Sequence, residues 1–259
     1  MYAVFSKFVT AAGIGLMGIS LHASAHFQEL IPSTDIVTPK TDRTVHLSIV
    51  FTHPMAGGPV MEMAEPVQFG VMANGERKDL KPHLKSKTVD GQTAYAASYE
   101  INRPGDYIFY LEPTPYWEPT EGKYITHFTK VVVDAFGAEE GWDALVGFPV
   151  EIEPLVRPFG LWAGNTFCGI VKRNGKPVPF AEIEVEYRNE NGAVAIPADP
   201  FVTQVIKADA NGTFVYAMPK AGWWGFAALL EGEPRQGPNG NLVGHELGAL
   251  IWVKTIAME

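Results

Sequence analysis

Glycine and proline interrupt this 259-residue chain about every five or six residues, with 26 glycines and 20 prolines in all. Proline removes a backbone donor and clashes with the preceding helical turn, and glycine costs roughly 1 kcal/mol in a helix interior. No long helix survives that spacing, whereas short strands and tight turns do. Cys168 is the sole cysteine, so no intrachain disulfide can form and burial alone must hold the fold. A hydrophobic content of 46% is sufficient for real cores.

Alternating apolar residues mark the strands. Val45, Leu47, Ile49 and Phe51 share one face of a strand over Thr44–Thr52, with His46 and Ser48 on the other. Further strands are predicted over Val67–Ala73, Tyr95–Ile101, Tyr107–Glu112 and Tyr124–Asp134. Asn74-Gly75 and Arg103-Pro104-Gly105-Asp106 supply turns between them. Residues 26–40 read as extended, 113–122 as an irregular aromatic loop, and Glu139–Leu145 as one short helical turn. A second run follows at Thr166–Val171, Ala181–Arg188, Gln204–Ala208, Thr213–Met218, Gly222–Leu230 and His245–Thr255. Its motifs Phe167-Cys168-Gly169-Ile170-Val171, Asp209-Ala210-Asn211-Gly212-Thr213-Phe214 and Lys220-Ala221-Gly222-Trp223-Trp224 resemble a transthyretin-like sandwich. The expectation is an all-β chain of two β-sandwich domains, immunoglobulin-like over 26–150 and transthyretin-like over 151–259. Adjacent Trp223 and Trp224 face opposite ways, so only one should be buried in its own sandwich.

The first 25 residues read as a secretory signal peptide. Lys7 is their only charge, Phe8 to Leu21 is mostly apolar, and Ala23-Ser24-Ala25 gives the small-x-small cleavage pattern. The apolar run falls short of the roughly 20 residues a membrane span needs, although an uncleaved anchor is the alternative. The mature chain would then be periplasmic, with no stable membrane insertion, and would begin at His26. An N-terminal histidine is a chelator: its α-amine and ring Nδ1 close a six-membered ring on one ion. The amine pKa of roughly 7.7–8.0 lets a metal displace its proton near neutral pH.

The net charge of −9 argues against nucleic acid and anionic membrane surfaces as partners. No Gly-x-Ser-x-Gly elbow, P-loop or dinucleotide fingerprint is present. Glu62, Glu65, Glu139 and Glu140 read as solvated carboxylates, not as an acid–base pair. Thus no catalytic residue is expected. Among the histidines, His83 in a lysine-rich loop and His46 opposite an apolar stripe read as surface residues. His53 ends a strand in phase with its buried face, just before a Pro/Gly loop, where a side chain reaches a sandwich rim. His127 is mid-strand and His245 opens the last strand; each suits either packing or ligation. Imidazole and amine donors suit nickel, cobalt, copper or zinc, and suit calcium and magnesium poorly. Met55, Met61 and Met63 would favour Cu(I) as thioether ligands, or else fill a gap between sheets.

The runs Ala25-His26-Phe27-Gln28-Glu29-Leu30-Ile31-Pro32 and Phe51-Thr52-His53-Pro54, with Met61 and Met63, Gly105-Asp106-Tyr107 and the strand carrying His127 and Lys130, resemble a family of exported proteins. That family comprises periplasmic components of cobalt/nickel uptake transport. The resemblance implies a binding protein, not an enzyme, that holds Ni(II), or Co(II) as second choice, and passes it to inner-membrane importer subunits. The expected ligands are His26, His53, His127 and His245. Rival readings are a copper-binding protein or copper monooxygenase with an N-terminal histidine, for which Tyr116-Trp117 would supply the aromatic face, and a structural or adhesive surface protein.

Overall fold

The computed structural model describes residues 26–259; the segment read as a signal peptide lies outside them. The fold is all-β and three sheets deep. A 12-stranded sheet runs through the middle, in the order Gln204–Lys207, Glu182–Tyr187, Gly222–Glu231, Leu242–Ile256, Lys123–Ala135, Gly105–Glu112, Gln68–Ala73 and Glu76–Asp79, with four short strands at its margins. A five-stranded sheet built on Phe27–Pro32, Thr44–Thr52, Gln92–Glu100 and Lys85–Val89 covers its near face. A four-stranded sheet around Val150–Pro154, Thr166–Arg173 and Thr213–Ala217 covers its far face. Among the described residues the helices are three short 3₁₀ turns, at Lys81–His83, Glu190–Gly192 and Asp199–Phe201. The helical turn expected around Glu139–Leu145 is a non-helical loop, with one backbone bond from Ala144 N–H to Gly141 O. No helix among the described residues is long and apolar enough to cross a membrane.

The expected boundary near residue 150 coincides with entry into the third sheet. The two halves are continuous across it, because Lys123–Ala135 pairs in parallel with Leu242–Ile256 from Lys123 opposite Gly244 to Val131 opposite Trp252. One core fills each gap. Val131, Val133, Trp223, Leu250 and Trp252 pack with Phe27, Leu47 and Ile49 on the near side. Phe128, Val132, Trp224, Phe226 and Ile251 pack with Ile152, Phe167 and Phe214 on the far side. The tryptophan pair divides as expected, Trp224 entering the core of its own C-terminal strands and Trp223 the core shared with the N-terminal strands, and both are buried, Trp223 at 8% and Trp224 at 6% exposure. Adjacent strand residues do face opposite ways, but a sheet covered on both sides buries each of them. Met61 and Met63 lie in the near core, which favours the gap-filling reading of those side chains.

The far side also holds two buried carboxyls on neighbouring strands, Asp106 directly opposite Asp134. Burial first, then the Asp134 charge and hydrogen bond, push Asp106 up to about 7; the Trp142 N–H works the other way. The folded state therefore holds a proton that the unfolded chain has released. The associated stability is complete below the ordinary carboxylate pKa and is lost as pH rises through about 7. Asp106→Asn should flatten this part of the fall in melting temperature between pH 5 and pH 8, and should melt above the parent at pH 8. Thermal melts of both proteins at the two pH values check this.

Candidate metal centre

The site lies at the rim of the near core, where the first described residue meets the end of one strand and the middle of another. The segment after His26 is firmly held. Trp252 Nε1–H donates to the Gln28 carbonyl at 3.0 Å, and Gln28 Nε2 donates to the Val50 carbonyl at 3.1 Å. Phe27 is fully buried, and Gly225 is needed beneath it: a Cβ there would stand 2.9 Å from the Phe27 ring. Glu29 binds Arg188 Nε at 3.0 Å, tying the same strand to the C-terminal half.

His53 follows directly on Thr44–Thr52 and is 5% exposed. Its carbonyl accepts from the N–H groups of Gly57 and Gly58, which closes the loop behind it. The next residues are pinned by the C-terminal half: Asn189 N–H donates to the Pro54 carbonyl, and Met55 N–H donates to Glu186 Oε2 at 3.0 Å. The rings of His26 and His53 stand 4.5 Å apart between centroids. Phe51 packs against both His26, at 5.6 Å, and His127, at 5.9 Å. His127 is 1% exposed and lies directly across from Gly248, where a Cβ would come within 2.3 Å of its Cδ2. No side chain at position 248 leaves that ring where it is.

Two carboxylates back these rings. His26 Nε2 lies 3.0 Å from Glu118 Oε2, and His127 Nε2 lies 3.1 Å from Glu246 Oε1. An imidazole whose Nε2–H donates to a carboxylate carries its lone pair on Nδ1, the outer-partner arrangement common at metal-ligating histidines. His127 Nδ1 has no hydrogen-bond partner and is buried. A buried acceptor left open is costly unless something fills it. Burial works to raise the Glu246 pKa, but the hydrogen bonds and charges of His127 and Lys123 outweigh it and bring it to about 2. Lys123 Nζ holds the same carboxylate at 2.6 Å. His26 is lowered to about 4, by burial and then by the neighbouring His53 and His127, which together outweigh Glu118 and Glu121. Its ring is neutral at pH 7, so a metal need not displace a ring proton there.

His245 does not join the group. It lies one residue from Glu246 on the same strand, so it points through the other face, where its Nε2 meets Thr126 Oγ1 at 2.9 Å. His46 is exposed and bonded to Ser98, and His83 is exposed, as expected. Among the described residues no group of three or more His, Cys, Asp or Glu side chains already stands in a metal-holding arrangement. The expected fourth donor, the His26 amine, is a peptide nitrogen in the uncut chain. Glu118 and Glu246 were not read from the sequence. The signal for Glu246 was its parity: it shares the face of Leu250 and Trp252, which enter the near core. Glu118 gave no signal: the stretch expected to be an irregular loop contains the short strand Tyr116–Glu118, whose pairing with Lys123–Ala135 sets Glu118 in place.

Replacing Glu246 with alanine should lower affinity for Ni(II) by about 10–100-fold, the range typical of losing an outer partner. Far-ultraviolet circular dichroism of the variant should be unchanged. Calorimetric titration provides the affinity.

These features define an all-β sandwich protein with a rim cluster of imidazoles backed by carboxylates. The chain belongs to the family described as "Domain of unknown function (DUF4198)", which matches residues 23–232. No curated protein matches it. Among solved structures, the D0-D1 domain of intimin is 9% identical, covering 89% of this chain and 100% of that one, at a TM-score of 0.24. A two-domain fibronectin type-III segment from chicken tenascin is 11% identical over 89% and 100%, at 0.25. A putative carbohydrate binding protein from Bacteroides uniformis is 12% identical over 85% and 96%, at 0.24.

Proposed function

We propose that this is an extracytoplasmic divalent-metal-binding protein that takes Ni(II), or Co(II), and serves as the periplasmic component of a metal uptake transporter. The supporting observation is the approach of His26, His53 and His127 at one rim, with the Nε2 atoms of two of them turned to carboxylates. Cleavage before His26 adds the amine as a fourth nitrogen. The ion is cargo, not a resident group, and no bond in it is made or broken. The choice of nickel over copper rests on the family resemblance, since raw affinity favours copper at most nitrogen sites. The Met63 thioether already accepts from Gln28 Nε2 at 3.8 Å, and Met61 packs in the near core. Release to inner-membrane importer subunits requires the site to open.

The test is calorimetry on residues 26–259 with a native terminus, comparing Ni(II), Co(II), Cu(II) and Zn(II). One ion per chain is expected. His53→Ala and His127→Ala should each abolish tight binding, while His245→Ala and His83→Ala should leave it unchanged. Absence of any micromolar binding would end the proposal.

A further inference from the structure

A pocket of about 290 Å³ adjoins the imidazole cluster. It runs from Glu62 and Ala64, both exposed, inward to Phe51, Ile125 and His127, all buried. Its volume sits at the lower end of small-molecule sites. Phe51, Tyr116, Trp117, Pro113 and Pro115 supply its ring faces, and Gln28, Met63 and Thr114 also line it. Those ring faces offer a hydrated ion little, because waters pressed against them lose hydrogen bonds. A flat ring would find several faces to pack on. His127 belongs to both places: it lines the pocket, and its ring packs on Phe51, which also touches His26.

We propose that the ion is bound as a complex with a small aromatic chelator, whose ring occupies this pocket beside His127. The proposal rests on the metal-binding reading above and names the cargo more closely. The protein nitrogens leave coordination positions open on an ion that takes more than four donors, and a bidentate N,O ligand fills them. Charge agrees: a Ni(II) ion carrying one such monoanion is a cation, the pocket mouth holds Glu62, and no Lys or Arg lines the pocket.

Pyridine-2-carboxylate and glycine form the comparison. Both are N,O-bidentate monoanions that close a five-membered ring on Ni(II), and only the first carries an aromatic ring. Residues 26–259 with a native terminus would be titrated with Ni(II) alone, with the 1:1 pyridine-2-carboxylate complex and with the 1:1 glycine complex. The pyridine complex should bind at least tenfold more tightly than the glycine complex. Ala64→Trp, which plugs the mouth away from the imidazoles, should remove that difference and leave binding of Ni(II) alone intact. Equal affinities for the two complexes, or removal of the ion by both chelators alike, overturns the proposal while leaving the metal site standing. A protein that takes up no Ni(II) in any of the three titrations overturns the metal reading and this proposal with it.

Discussion

On the metal-binding proposal, one extra residue ahead of His26 should weaken Ni(II) binding by about a hundredfold or more, beyond the 10–100-fold typical of losing an outer partner. The extension turns the amine into an amide. An amide nitrogen has no available lone pair at neutral pH, so the six-membered chelate cannot close. The His26 ring itself stays where Phe51, His53 and Glu118 hold it. His26→Ala removes the ring as well and should lose at least as much. The extended protein should fold and melt like the parent in the absence of metal, because Phe27 and Gln28 carry the anchoring contacts. Calorimetry on matched cleaved and extended proteins gives the ratio. Equal affinities would remove the amine from the ligand set.

The second large effect concerns stability. Lys130 is 1% exposed, and its Nζ lies 2.7 Å from Glu151 Oε1. The Glu151 carboxylate also accepts from the N–H groups of Val146, Gly147 and Phe148, at 2.7, 2.9 and 3.3 Å. Glu151→Ala strands a buried ammonium and the donors of two buried residues, Val146 and Phe148. Losing one partner of a buried pair costs about 3–5 kcal/mol. For a chain of this size that corresponds to a drop of roughly 10 °C in melting temperature. The double substitution Lys130→Met with Glu151→Gln removes both charges and should recover most of the loss, since a buried pair contributes little beyond an apolar replacement. A double variant as unstable as Glu151→Ala would show that the three N–H bonds, not the ion pair, dominate. Glu151 fixes residues 146–148 against the far face of the strand whose near face presents His127, so the loss should reach the site too.

Much of the all-β fold was legible because period-two alternation and Gly/Pro turns are local signals. Thr44–Thr52 is a strand with the expected bounds, and Leu47 and Ile49 enter the core as their phase required. The lamination of the middle sheet was not legible. Trp223 and Trp224 carry no mark that both faces are covered, because the covering layers come from residues near 47 and near 167. The pairing of Lys123–Ala135 with Leu242–Ile256 is equally non-local. At the site, His53 was readable from its phase. His127 and His245 looked alike in sequence, and only the register of that pairing, which sets His127 opposite Gly248 and sends His245 through the other face, separates them.

On the metal-binding proposal, the order in which the pieces arrive sets when an ion can be captured. The first imidazole stands at residue 26, and the carboxylate that orients the third stands at residue 246. A nascent or half-translocated chain therefore has donors but no cage. Closure waits for the final strand to slot between two earlier ones, a contact spanning more than a hundred residues and correspondingly slow to form. Loading would thereby wait until the last strand is in place.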